Sequence, residues 1–285
     1  MRKGWIGAVC AVSLLLPALA GADNLARDYT YAPPGTFLML WYDYHVSAHK
    51  FYNDGKIVTK DLDASGDVYI FRPVYYHSYG FLGLEGAQQV LFFAKDIEVG
   101  SSRISGLSDM LYSPAIWFYK NKTNRTLLGF IPHLTIPIGE YDKDRPASSA
   151  GDNRWKIQPE LNFTWGATDK LYAEITGAVQ FFEDNDDWVG GSKLEQDPLY
   201  TVELHLSYDI SPAWWVAADY YWHGGGETKV DGVDQNDDQN NHTLGGSLAF
   251  GLAPSYQLIF SYQHDIEVDA GPKYQTMVLR FMYVF

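Results

Sequence analysis

The chain has 285 residues, with 21 Lys and Arg against 35 Asp and Glu, for a net charge of −14. That balance excludes a nucleic-acid partner, because phosphate binding wants a basic face. Mean hydropathy is −0.22 although 46% of residues are hydrophobic, and no apolar stretch approaches the length of a spanning helix, so a helical membrane protein is excluded.

The N-terminus reads as an export signal, residues 1–22. Arg2 and Lys3 form a basic start, Ile6 to Leu16 an apolar run, and Ala18-Leu19-Ala20 or Ala20-Gly21-Ala22 a small-residue cleavage site. The only thiol, Cys10, falls inside that segment, so a disulfide scaffold is excluded for the rest. Residues 23–35 precede the first strand pattern, and either lead into it or fold into the molecule as a plug.

From Thr36 onward period-2 alternation dominates. It predicts twelve strands near 36–47, 67–79, 87–98, 110–120, 125–138, 154–165, 170–182, 198–209, 213–223, 242–252, 256–265 and 274–285. In the eighth, Tyr200, Val202, Leu204, Leu206 and Tyr208 oppose Thr201, Glu203, His205, Ser207 and Asp209. In the sixth, Trp155, Ile157, Pro159, Leu161, Phe163 and Trp165 oppose Lys156, Gln158, Glu160, Asn162 and Thr164. Ten residues from Trp155 to Trp165, at ~3.3 Å each and tilted by about 45°, climb roughly 23 Å, the height of an outer-membrane apolar band. Pro159 reads as a local fault in the ladder, since proline donates no hydrogen bond.

The connections are expected to alternate. Those at 121–124, 166–169, 210–212 and 253–255 are tight, whereas 48–66, 139–153, 183–197 and 224–241 are long, polar and acidic. Short periplasmic turns and long outer loops are the asymmetry of an outer-membrane barrel. Met277, Leu279, Phe281, Tyr283 and Phe285 alternate to the end of the chain. This resembles the terminal-strand signal read by the bacterial barrel-assembly machinery. The fold expected is all-β, a transmembrane antiparallel up-and-down barrel of about twelve strands over 36–285.

Pro34-Gly35-Thr36 leading into Leu40-Trp41-Tyr42-Asp43-Tyr44, then Leu111-Tyr112-Ser113-Pro114-Ala115 and the later strands to Phe285, resemble a family of outer-membrane transporters assigned to the meta pathway of phenol degradation. The resemblance implies a channel for small, aromatic compounds, and carries over no catalytic motif.

By parity the inner face carries Arg72, Lys156, Glu160, Glu174, Glu203, His205, Asp209, Asp219 and Arg280. These either set charge selectivity, as charged rings do in pores, or fill a narrow barrel with mutual salt bridges. Trp41, Tyr172 and Phe182 are the aromatic lumen candidates. They would stack a planar solute or fill space. His205 and Ser207 share a face, but lie ~6.6 Å apart along the strand. His223-Gly224-Gly225-Gly226 mimics a lipase oxyanion segment without its G-x-S-x-G, and reads as loop flexibility. Asp61 to Asp67 begins like a calcium loop, yet Arg72 stands where a bidentate Glu belongs, so it reads as a solvated acidic loop. No catalytic residue, metal or cofactor is assigned, and the chain is not read as an enzyme. The expected function is passive passage of small solutes across the bacterial outer membrane. Alternatives are a closed structural or envelope-interaction barrel, and an outer-membrane lipid hydrolase. Expected partners are outer-membrane lipids and lipopolysaccharide, the assembly machinery through Phe285, and a small-molecule solute.

Overall fold

The computed structural model describes residues 23–80 and 83–285; the export-signal reading lies outside the described residues. Twelve antiparallel strands close into one barrel. They are β1 (Phe37–Asn53), β2 (Ala64–Tyr79), β3 (Leu84–Val99), β4 in three pieces (Ser102–Leu107, Met110–Tyr112 and Ala115–Asn121), β5 (Thr126–Ile136), β6 (Lys156–Gly166), β7 (Leu171–Phe182), β8 (Leu199–Ser211), β9 (Trp214–Gly225), β10 (Gln239–Ala253), β11 (Tyr256–Glu267) and β12 (Gly271–Val284). Each pairs with its successor, and β12 returns to β1 from Leu38 opposite Val284 to Tyr52 opposite Gly271. Pairing β12 with β1 removes the free edges at the two ends of the sheet, which is what a lipid surround demands.

The alternation sorts side chains as the pattern requires. On β8, Tyr200, Leu204, Leu206 and Tyr208 are exposed on the outer wall while Thr201, Glu203, His205 and Ser207 are buried inside. Trp165, Tyr208, Trp214 and Tyr256 lie exposed toward one end of the wall, and Trp155, Phe181 and Tyr200 toward the other. These are aromatic girdles around an apolar band, the surface of a barrel that sits in the outer membrane. Pro159 stands opposite Pro132 on β5, and the β6–β7 pairing skips from Glu160–Ala178 to Ile157–Phe181. The ladder gives way where two prolines withhold their donors.

The connections at 80–83, 122–125, 167–170, 212–213 and 254–255 are short and share one end with Phe37 and Phe285. By the asymmetry of such barrels this end is periplasmic. The opposite end carries the long segments 54–63, 137–155, 183–198 and 226–238, but also two tight turns, at 100–101 and 268–270. Strict alternation of long and short is therefore corrected. The residues between the predicted third and fourth strands extend the ladder instead of looping, with Ile97 opposite Ile104 and Glu98 opposite Arg103. At the outer end, short strands Asn185–Trp188, Ser192–Gln196, Thr228–Val230 and Val233–Asp234 make a separate sheet. It is pinned by Trp188 and Leu194.

One stretch of wall is incomplete. The Ser102–Leu107 piece of β4 pairs only with β3, because β5 ends at Ile136 opposite Met110. Glu140 bridges this place from the following loop. Its N–H donates to Leu107 O at 2.8 Å, and its carboxylate accepts from Leu107 N–H at 3.0 Å. Leu107 and Ile138 stand exposed beside it.

Candidate functional site in the lumen

The inner wall is polar because most inward positions of β6 to β9 are polar, and closure aims those residues at one axis. Glu160, Glu174, Glu203, His205 and Asp219 are all buried there. His205 Nδ1 lies 2.8 Å from Asp219 Oδ1, and Ser247 donates to the other oxygen of Asp219 at 2.8 Å. His133 stands between Ser113, at 2.8 Å, and Glu160, at 3.4 Å. Charges this deep need partners, and several come from outside the barrel strands.

Residues 23–32 supply them. The Asn24 side-chain amide donates to Glu160 and to Glu203, each at 2.9 Å, and its backbone N–H donates to Glu203 at 3.0 Å. Arg27 N–H donates to Glu174 at 2.9 Å; its guanidinium reaches Ser207 at 2.9 Å and Asp209 at 2.7 Å. Asp28 accepts from Arg72 at 3.0 Å and also from Arg280. The Tyr29 hydroxyl donates to Glu160 at 2.7 Å. In return Tyr221 donates to Asn24 O and Trp117 to Tyr29 O. Burial alone pushes the Asp28 carboxyl up, but Arg280 and Arg72 outweigh it and hold it below the usual carboxylate range. Leu25, Ala26 and Tyr29 are 1%, 0% and 2% exposed, so the chain here lies inside the lumen. Tyr29 also needs room at the wall. A Cβ on Gly129 of β5 would sit 2.7 Å from its ring, and only glycine leaves that space.

A second segment enters from the outer side. Lys95 donates to Ala150 O at 3.0 Å, and Asp109 accepts from Gly139 N–H at 2.9 Å and Asp152 N–H at 2.8 Å. Asp152 also meets Lys156. Burial would raise the Asp152 carboxyl, but Lys156, Lys95 and Arg154 pull it down to about 2.

Two cavities lie on either side of the filled cross-section. Toward the outer end is a polar cavity of 80 Å³ among Asp23, Tyr221, His223, Asn241, Asp265 and Tyr274. Toward the periplasmic end is a vestibule of 730 Å³, with Leu38, Leu40, Val74, Tyr76, Tyr172 and Trp215 among its walls.

The sequence candidates distribute as follows. Arg72, Lys156, Glu160, Glu174, Glu203, His205, Asp209, Asp219 and Arg280 all face inward, most of them into the network around residues 23–32. Tyr172 lies on the vestibule wall beneath Arg27, and Phe182 lies under Arg154 and Lys156. Trp41 is a correction: it is 39% exposed on the outer wall, against Phe71 and Phe281. The first strand carries aromatics on both faces, and the inner arginines take Tyr42 instead, through its hydroxyl to Arg72 at 3.0 Å. His205 and Ser207 form no pair, since Ser207 takes Arg27 while His205 lies between Asp219 and Glu203. His223 meets Asp23 at 3.0 Å. Asp67 turns to the outer wall and meets His45 at 2.8 Å. Among the described residues no three His, Cys, Asp or Glu side chains converge as a metal site requires. Missed altogether were Asn24, Arg27, Asp28 and Tyr29, whose segment has no periodicity, and His133, Trp215 and Tyr221. Parity on β9 is the signal that would have found the last two.

Among solved structures, the COG4313 outer membrane channel from Pseudomonas putida F1 superposes with a TM-score of 0.88 at 24% identity, over 92% of this chain and 100% of that one. The translocator domain of the autotransporter NalP from Neisseria meningitidis aligns at 0.54 and 8% identity, over 98% and 97% of the two chains. No curated protein matches the sequence. The family model described as "Putative MetA-pathway of phenol degradation" matches residues 48–281, most of the barrel just described, and the chain belongs to that family.

Proposed function

We propose that the protein is a passive outer-membrane uptake channel for small apolar solutes, aromatic ones included, and that residues 23–32 plug its aqueous path. The carrying observation is the occupied cross-section with a large vestibule beneath it, in which Leu38, Leu40, Val74 and Trp215 supply apolar wall between charged side chains. A hydrated ion meets Asn24, Arg27 and Tyr29 locked onto four inner-wall carboxylates, Glu160, Glu174, Glu203 and Asp209. An apolar solute has a second approach, where the wall is incomplete between the first piece of β4 and the end of β5. The family's assignment to phenol degradation and the P. putida channel both support this reading. His205 and Ser207 do not form a nucleophile–base pair, and Ser113, which does meet His133 with Glu160 behind it, is fully buried, where no lipid ester reaches it. The acidic outer loops would face lipopolysaccharide. Exposed Phe285, tilted against Phe37 and edge-on to Tyr283, would present the assembly signal.

Two measurements test this. In planar bilayers the protein should conduct weakly, and deletion of 23–32 should raise conductance several-fold. Cells producing the intact protein should take up the neutral dye phenylnaphthylamine faster than cells without it. An equal dye rate would overturn the uptake reading and leave a closed structural barrel, which the filled cross-section also favours.

A further inference from the structure

The chain is strongly acidic, yet its periplasmic vestibule is not. Six cationic side chains line that cavity, Arg27, Arg72, Lys120, Lys122, Arg125 and Arg280, against three carboxylates, Asp28, Glu174 and Asp209. A fourth carboxylate, Glu85, stands beside Lys120. The surplus is positive even after every salt bridge is counted. Asp28 is divided between Arg72 and Arg280. Arg125 has only neutral partners, the Asp169 carbonyl at 2.8 Å and the Tyr172 hydroxyl at 3.1 Å. Lys122 makes no ion pair among the described residues. Two buried donors of the same cavity, Arg27 Nη2 and Arg280 Nε, also lack a protein acceptor. Buried donors left unmet are costly, and an anionic acceptor would meet them.

The cations are laid against rings. The Arg27 guanidinium sits 4.6 Å from the Tyr172 ring centre and 4.7 Å from that of Trp215, Arg125 sits 4.7 Å from Tyr172, and the Lys120 ammonium sits 3.9 Å from Tyr31. The ring contacts hold these cations in place, and Arg27 Nη2 keeps a donor for a carboxylate. Leu38, Leu40, Val74 and Met282 supply apolar wall beside them. At 730 Å³ the cavity is of the size that encloses a small organic molecule.

We infer that the vestibule is a binding site for small organic monoanions with an apolar, ring-bearing body, aromatic carboxylates being the type. The body lies on the aliphatic and aromatic wall, and the carboxylate lies among Arg27, Lys122 and Arg125. This goes beyond the uptake reading, which concerns apolar solutes, and rests on it only for the direction of passage; binding itself requires no transport. A solute released from the lumen would be held at the periplasmic exit, where the field favours a negative group.

Isothermal titration of the folded full-length protein in detergent tests it with benzoate, the neutral benzyl alcohol and the cationic benzylammonium. Benzoate should bind saturably at one per chain, at least tenfold tighter than benzyl alcohol, with benzylammonium weaker still. The double variant Lys122→Gln, Arg125→Gln should lose that tenfold preference and keep benzyl alcohol binding unchanged. Lys193→Gln, in the outer-end sheet, should leave all three isotherms as they were. Equal affinities for benzoate and benzyl alcohol in the unaltered protein would overturn the assignment. So would a double variant that still prefers benzoate, or no saturable benzoate binding. Because titration reads binding alone, a failed dye-uptake assay with an intact benzoate preference would sink transport and leave the site standing.

Discussion

Gly129 shows how one side chain sets the state of the lumen. It is a wall position where a Cβ would come within 2.7 Å of Tyr29 Cδ1 and 3.5 Å of Trp117 Cδ1. Tyr29 in turn holds Glu160 through its hydroxyl. Neither ring has slack, since Trp117 is buried and bonded to Tyr29 O at 3.2 Å. Gly129→Val therefore has no local solution that keeps Tyr29 in place. The expected result is a folded barrel, unchanged in its heat-dependent gel mobility, with single-channel conductance raised several-fold. Conductance equal to that of the unaltered protein would show that Tyr29 does not limit the aqueous path. At the same scale, Asp28 illustrates economy of charge. One buried carboxylate answers two arginines that β2 and β12 place on opposite sides of it.

At the scale of the strand, β8 separates two roles residue by residue. Leu204 is 42% exposed on the outer wall, and its neighbour Glu203 is wholly buried inside. Charge on the lipid face is expensive and depends on depth. Leu204→Arg should lower unfolding stability in lipid vesicles by roughly 2–4 kcal/mol if that residue lies near the bilayer midplane. Tyr208→Arg, at the girdle, should cost about 0–1 kcal/mol. Denaturant titration of both variants checks the ordering, and equal losses would mean that the apolar band is not centred on Leu204. The β4 strand behaves differently. Pro114 withholds a donor and Gly106 takes φ +139°, so the strand breaks into three pieces, and the wall there is completed by Glu140 rather than by a continuous ladder.

At the scale of the whole molecule, charge is sorted along the axis. The outer-end segments carry Asp184, Asp186, Asp187, Asp231, Asp234 and Asp238, while cations predominate in the periplasmic vestibule. With residues 23–32 present the two regions are separated by the filled cross-section. Removing that segment should join them into one path with unlike mouths, and such a pore rectifies. The deletion variant should pass unequal currents at opposite voltages in dilute salt, approaching symmetry near 1 M salt, where the screening length is about 3 Å. A symmetrical current in dilute salt would contradict the sorting.

What the sequence determined by itself was the barrel and the facing of most of its wall. Strict alternation from Trp155 to Asp209 and from Tyr256 to Phe285 admits one assignment of faces, because a one-residue slip would turn every Glu and His to lipid. That is why seven of the nine ionisable lumen residues, all but Arg72 and Asp219, were legible from these stretches. Trp41 was not, because β1 has aromatics on both faces and parity alone does not rank them. Only the tertiary structure decided what fills the lumen. Residues 23–32 have no periodicity, and Asn24, Arg27, Asp28 and Tyr29 acquire meaning when closure of the barrel brings Glu160, Glu174, Glu203, Arg72 and Arg280 around one axis. The positive vestibule is hidden for the same reason. Its cations come from 27, 72, 120, 122, 125 and 280, far apart in the chain, and net charge sums over all residues whereas the field in a cavity answers to the few that line it.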